Sequence, residues 1–286
     1  MLLVADSGST KCDWNLVKDG KTFKRFSTIG FNPYFHEEAL ISATLRRKQI
    51  FRKHVDEIQQ AFFYGAGCST PELQQVVQRA LYSLMPRTRV VVGHDLDAAA
   101  YATYSGEPGI ACILGTGSNS CFFDGKEVHE AVPALAYILG DEGSGSYYGK
   151  KLLADFLYNR LPSHIADVLR SEYELDKNVI MENVYMKPHA NVYLASFMRF
   201  LHGFKSDQYV QDMVSEGMTT FLKTHVECYE NCREVPVHFV GSVAYYFSDL
   251  LHQSAAALNI NVGTIDKKPI NGLVRYHLEH PVEVTS

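Results

Sequence analysis

The feature that most constrains this chain is a strand-and-turn unit that occurs twice. Leu2-Leu3-Val4-Ala5-Asp6 is an apolar run ending on an acid, and Ser7-Gly8-Ser9-Thr10-Lys11 follows as a turn of small hydroxyl residues around a glycine. The second copy is the run 110–114 followed by Gly115-Thr116-Gly117-Ser118-Asn119-Ser120. Placing Gly8 on Gly117 sets Ser9 on Ser118 and Cys12 on Cys121. Each copy then runs on to an Asp-Gly pair, Asp19-Gly20 and Asp124-Gly125. Glycine in such a turn adopts backbone angles closed to other residues and lets several N–H groups approach an anion. One turn of this kind says little; two in matching contexts predict a duplicated phosphate-binding fold. Asp6 adds a carboxylate able to hold Mg²⁺ through water, because that ion keeps several waters and takes only one or two carboxylates.

Around these turns, strand and helix signals alternate as in an α/β protein. Strands are expected at 11–17 and 21–28, joined at Asp19-Gly20 and with Phe23 and Phe26 as apolar anchors. A loop at 30–34 leads to one helix over 37–54, whose basic run Arg46-Arg47-Lys48 is a solvated face. A buried strand at 61–64 ends in Gly65-Ala66-Gly67, and Ser69-Thr70-Pro71-Glu72 opens a helix with a hydroxyl cap and an early proline. Val90-Val91-Val92 delivers His94-Asp95, with a short helix over 97–104 behind it. After the hinge-like 105–109 come the second turn, a hairpin to about Val132, and Gly140-Asp141-Glu142-Gly143-Ser144-Gly145-Ser146 before a helix over 147–158. The stretch 159–234 is helical by pattern, with no clear strand. A strand at 237–240 ends in Gly241-Ser242-Val243 at the start of a helix to about Leu258; a strand at 260–265 and a helix at 269–280 follow. Ligands in such folds gather beyond the carboxyl ends of strands, where Asp6, Gly65, Asp95 and Gly115 all lie.

A length of 286 residues allows one large domain or two ordinary ones. A net charge of −5 argues against a nucleic-acid footprint. No apolar run reaches the roughly 20 residues that span a bilayer. Asp6 interrupts the N-terminal apolar run too early for a secretory signal. The expected location is the cytoplasm, with all six cysteines reduced.

Phosphoryl transfer needs metal-held phosphates, backbone donors and an acceptor hydroxyl held in line. It gains from a carboxylate that takes the hydroxyl proton. Asp95 is the choice for that base, although Asp95 or Asp97 could equally cap the helix behind them. Asp141 and Glu142 could bind hydroxyls or cap the following helix. Asn32 could bond a sugar hydroxyl or simply precede Pro33 in a turn. Gly241-Ser242 could pack on a nucleotide or serve strand-to-helix packing. Lys11 could reach a phosphate or be an exposed strand lysine.

The order Asp-x-Gly-x-Thr, Gly-Ala-Gly, Asp95 after a strand, Gly-Thr-Gly-Ser-Asn, Gly-Asp-Glu-Gly-Ser and Val-Gly-Ser resembles the BadF/BadG-type ATPases of the actin, hexokinase and Hsp70 superfamily. Within them it is most similar to the N-acetylglucosamine kinases. The resemblance runs from about residue 2 to 280. It implies two RNase H-like domains with an interdomain cleft for ATP, Mg²⁺ and a sugar. The first would cover 1–107, completed by 269–280; the second would cover 108–268, with a helical insertion at 159–234. By position it puts Thr10 and Thr116 at ATP phosphates and Gly241-Ser242 near the nucleotide. Asn32, Ser118, Asn119 and Asp141 would touch the amino sugar, and Asp95 would act on its 6-hydroxyl. Relatives imply a homodimer. Two departures leave the sugar open: the family's Gly-Trp-Gly reads Ala134-Leu135-Ala136 here, and Asp97 adds a carboxylate beside the base. Two other readings share the fold. One is the ATPase activator of a radical dehydratase, with Cys112 and Cys121 near a bridging iron–sulfur cluster. The other is a sugar or nucleotide sensor without catalysis.

Overall fold

The computed structural model describes residues 1–281. Its contacts divide the chain into two compact units, Met1–Ser105 together with the chain from Lys268 onward, and Gly106–Lys267. The first unit begins with β1 (Leu2–Ser7), β2 (Lys11–Lys18) and β3 (Lys21–Ile29), then α1 (Glu38–Arg46) and α2 (Gln49–His54). It continues with β4 (Gln60–Gly65), α3 (Pro71–Tyr82), β5 (Arg89–His94) and α4 (Asp95–Thr103). In the second unit β6 (Gly109–Leu114), β7 (Ser118–Phe123) and β8 (Val128–His129) precede α5 (Ala136–Leu139) and α6 (Gly145–Leu157). Helices α7 (Ser163–Tyr173), α8 (Lys177–Met181), α9 (Ala190–Ser196), α10 (Met198–Gly203) and α11 (Gln208–His225) fill the stretch that reads as helical. Then come β9 (Val237–Val240), α12 (Ser242–Tyr246), α13 (Ser248–Ala257) and β10 (Val262–Asp266), and α14 (Ile270–Glu279) returns to the first unit.

The two sheets repeat one plan. The first is ordered β3-β2-β1-β4-β5 and the second β8-β7-β6-β9-β10, which is the same order shifted by five strands. In each, a meander of three antiparallel strands is extended by two parallel ones. Parallel pairs need a crossover, and the intervening helices supply it. In the first unit, Leu3, Ala5, Cys12, Trp14 and Leu16 pack under α1 to α3, while Val4, Val17 and Phe62 meet α4 and α14 on the other face. In the second, Cys112, Leu114 and Phe239 share a core with Tyr148 of α6 and Met218 and Phe221 of α11.

Several expectations need correction. The helix expected over 37–54 is two, broken at Arg47-Lys48, with Lys48 extended at φ −82°, ψ 111°. Phe51 is buried six residues after Leu45, and a continuous helix would turn those two side chains about 120° apart; the break brings both into the core. The helix expected from 242 to 258 likewise breaks at Phe247. The helix expected from Asp97 begins at Asp95. Phe23 is exposed; Phe26 is the anchor, its ring stacked on Trp14 at 5.7 Å.

The superposition of the two turns also shifts. Four residues, 8–11, lie between the last cross-strand pair Ser7/Cys12, but only three, 115–117, between Leu114/Ser118. Strand register therefore equates Gly8 with Gly115, not with Gly117. Their hydrogen bonds agree: the Gly8 N–H donates to the Lys11 carbonyl and the Gly115 N–H to the Gly117 carbonyl, both at 3.0 Å.

Candidate active site

In the first unit the ends of β1, β4 and β5 lie side by side, with Ser7 paired to Gly65 and Gly65 to His94. The turns that follow these strands therefore carry Gly8 to Lys11, Ala66 to Cys68, and Asp95 to one edge. Gly8 does not use a left-handed backbone. What demands glycine is Gly30 beneath it, where an added Cβ would stand 2.1 Å from the Gly8 carbonyl oxygen. A Cβ on Gly8 would meet only the Lys11 carbonyl oxygen, at 3.8 Å, so that side of the turn is open to a ligand. Asn32 lies against Gly67, which has φ +83° and no room for a Cβ beside the Asn32 amide. The Asn32 carbonyl oxygen Oδ1 also accepts from the Tyr34 N–H at 2.9 Å, so its turn role is real.

The two aspartates after β5 separate clearly. Asp97 Oδ2 accepts from the His94 N–H at 2.8 Å and so satisfies an N-terminal donor of α4; burial raises its pKa. Asp95, 29% exposed, is left to its neighbour, with His94 Nε2 2.9 Å from Oδ1. Asp6 lies on β1 opposite Asp13 of β2. Asp13 draws Lys11 to 2.7 Å, Lys268 to 2.9 Å and Ser27 Oγ to 2.7 Å. Burial would raise Asp13, but these partners outweigh it and hold the carboxyl at about 2.

In the second unit three glycine-rich segments meet at the end of β6. The Gly145 N–H donates to the Gly115 carbonyl at 2.8 Å, and the Ser146 N–H to the Thr116 carbonyl at 3.0 Å. Gly241, at φ +126°, closes on Leu114, whose carbonyl oxygen would be 2.3 Å from a Cβ there. It starts α12 with Ser242 exposed. Nothing lies within 4 Å of a Cβ built on Gly115, so this turn too has an open side. Asp141 sits at φ 57°, a strained angle for a residue other than glycine. It accepts from the Ser118 N–H at 3.1 Å and from Ser146 Oγ at 3.4 Å, and burial raises its pKa despite those bonds. Gly117 must lack a side chain because the Asp141 carboxylate lies 2.9 Å from where its Cβ would be. Ser144, not Asp141, caps α6. Ser118 Oγ is buried beside that carboxylate without a hydrogen-bond partner. Asn119 is buried as well, its Oδ1 accepting from the Ser120 N–H at 2.9 Å.

Sequence reasoning missed four residues here. His225 of α11 holds Glu142, Nε2 to Oε2 at 3.1 Å, with the carboxylate as acceptor. It continues the apolar stripe Val214, Met218, Phe221, and a histidine in that phase was the available signal. Asp13, Lys268 and His94 carried no pattern that set them apart. Among the described residues no group of three His, Cys, Asp or Glu could cage a metal. A magnesium ion here would rest on one carboxylate, phosphates and water, a donor set to which Asp6 is suited. All six cysteines are free thiols. Cys112 and Cys121 are fully buried, and burial raises the Cys112 thiol. Neither is placed to bridge a cluster at a surface. Among the described residues no helix is long and apolar enough to cross a membrane.

Two sheets of one order, each with a glycine turn open on one side after its first strand, define the two-domain actin-like fold of sugar kinases. No family model and no curated protein sequence matches the chain. Among solved structures, a putative N-acetylglucosamine kinase from Porphyromonas gingivalis matches with a TM-score of 0.94 and 37% identity, over 99% of this chain and 100% of that one. The chain belongs to the sugar-kinase family of that protein. A putative N-acetylglucosamine kinase from Chromobacterium violaceum matches at 0.71 and 18% identity, over 96% and 98%. A putative sugar kinase from Cytophaga hutchinsonii matches at 0.51 and 13%, over 98% and 99%. These last two bear on the fold alone.

Proposed function

We propose that this chain transfers the γ-phosphoryl group of ATP to the 6-hydroxyl of an amino sugar, N-acetylglucosamine first among the candidates. The observation that carries this reading is the full-length match, at 37% identity, to the Porphyromonas gingivalis protein. The motifs around Gly115 and Asp141 add an assignment to the BadF/BadG-type branch. The open sides of Gly8 and Gly115 support a phosphate role for both turns. Since their own N–H groups are spent inside the turns, the donors fall to Ser9, Thr10, Thr116 and Gly117. Lys11 adds charge, and Gly241-Ser242 flanks the nucleotide. Mg²⁺, held through water by Asp6, would neutralise charge on the transferred group. Asn32, Ser118, Asn119, Asp141 and Glu142 would orient the sugar.

Asp95 accepts the proton as the sugar oxygen attacks the γ-phosphorus and the bond to ADP breaks. Because Asp97 already serves the helix N-terminus, Asp95 keeps a carboxylate free of that duty. The buried Cys112 and Cys121 argue against the activator reading, and free thiols throughout fit the cytoplasm. The test is ADP release with Mg·ATP across a panel of sugars, with Asp95→Asn alongside. Strong turnover on one amino sugar is expected, lowered on the order of a hundredfold or more in the variant while sugar affinity stays within several-fold. An unchanged rate removes Asp95 from the role, and no turnover on any sugar overturns the kinase reading.

A further inference from the structure

Three residues at the end of β5 are bonded to one another in a closed order. The Asp97 carboxylate accepts from the His94 N–H at 2.8 Å, and the His94 side chain accepts from the Asp97 N–H, a capping box on α4. Gly93 makes room for it, since a Cβ there would stand 2.8 Å from Asp97 Oδ2. His94 Nε2 meets Asp95 Oδ1 at 2.9 Å. A carboxylate only accepts, so Nε2 carries the proton of that bond, and the nitrogen that accepts from the Asp97 N–H is Nδ1. The capping box thereby sets the tautomer of the ring as well as its position. The His94 and Asp95 side chains are 19% and 29% exposed, so their bond is partly shielded from water yet within reach of a ligand. Burial, with the Asp95 charge nearby, raises the Cys68 thiol to about 12. Cys68 follows Gly67, the residue packed against the Asn32 amide, so the Asp95 carboxylate stands near the Asn32 loop.

We propose that His94 is a positioning residue for Asp95: its Nε2–H holds Oδ1 and leaves Oδ2 for the acceptor hydroxyl. The inference rests on the kinase reading and deepens it. A carboxylate on an unrestrained side chain samples many orientations, and holding one of its oxygens removes part of the cost of reaching the geometry of transfer. Asp97 then takes part without touching substrate, by fixing the ring that fixes the base. The proton leaves the sugar hydroxyl for Asp95 Oδ2 and stops there. His94 does not take it over, because Nδ1 is occupied by the Asp97 N–H.

Two substitutions separate positioning from capping. His94→Asn keeps a strong helix cap, but its amide ends short of the Nε2 position, whereas His94→Gln carries an amide N–H out to it. In His94→Asn, kcat should fall on the order of tenfold with sugar KM and thermal midpoint little changed, and His94→Gln should recover most of the loss. Added to Asp95→Asn, His94→Asn should cost nothing further, because the base it serves is gone. Nitrogen NMR of the His94 ring, recorded without ATP or sugar, should show the Nε2–H tautomer and a shift of that signal in Asp95→Asn. An unchanged kcat in His94→Asn, equal losses with and without Asp95→Asn, or an Nδ1–H ring overturns the proposal. The kinase reading fails differently, by absence of turnover in the unsubstituted chain. That result removes the positioning role with it, while the ring tautomer still shows whether the His94–Asp95 bond exists.

Discussion

At the scale of single residues, strain and buried polar contacts mark where chemistry is expected. Asp141 holds a left-handed backbone, and Gly117 gives up a side chain so that its carboxylate can sit. Ala136 is the other telling position. It has φ 56°, so the turn takes a glycine-like angle with a Cβ in place. A left-handed backbone costs a residue with a Cβ roughly 1 to 2 kcal/mol, partly offset in glycine by its greater unfolded-state freedom, so Ala136→Gly should stabilise the protein by about 1 kcal/mol. Urea denaturation measures this, and a loss of stability would show that the methyl group makes contacts worth more than the strain. The Asp95/Asp97 pair teaches a different lesson. Two carboxylates two positions apart look interchangeable as caps, yet only Asp97 lies over Gly93, where its oxygen would be 2.8 Å from a Cβ and reaches back to the His94 N–H.

At the scale of elements, α14 is tied to the sheet through a buried polar contact. Tyr64 of β4 meets His277 Nε2 at 2.9 Å, with Phe62 stacked on the imidazole at 3.7 Å. Burial pushes the Tyr64 phenol upward, so it donates, and the imidazole accepts in its neutral form. Burial, with His280 nearby, lowers His277 to about 4 from 6.5. The unfolded chain then binds the proton first, so stability is complete above pH 6.5 and declines as pH falls toward 4. The slope between pH 6.5 and about 5 should amount to about 2 kcal/mol from this residue. His238, also buried and lowered, adds to it. Denaturation midpoints followed over that window should fall less steeply in His277→Gln. An identical slope in the variant would mean that His277 is protonated in the folded protein.

At the scale of the whole molecule, one plan is used twice and put to different ends. In the first unit both sheet faces are covered by short helices; in the second, α6 and α11 build a deeper core over β6 and β9. If the chain binds a nucleotide, as proposed, that binding must add to the stability of the folded state. Mg·ATP at a hundredfold excess over its Kd should then stabilise by about 2.7 kcal/mol. Thermal unfolding with and without Mg·ATP measures this, and an unmoved transition would count against nucleotide binding.

Much of this was legible in the chain itself. The two strand-and-turn units, the Asp19-Gly20 hairpin, the capped α3 and the helical stretch after residue 159 rest on local chemistry. Glycine, proline, hydroxyl caps and apolar period act on neighbouring residues, so reading neighbours suffices. The register of the two turns is not legible there, because a one-residue difference in loop length is invisible until the strands pair. The partners of the site were decided only by tertiary structure. Lys268 reaches Asp13 from 255 positions away, His225 reaches Glu142 from 83, and the Ser118 N–H reaches Asp141 from 23. No local pattern encodes such pairs. Sheet register and helix packing choose which distant side chains share a buried volume, and burial then makes their hydrogen bonds and charges matter.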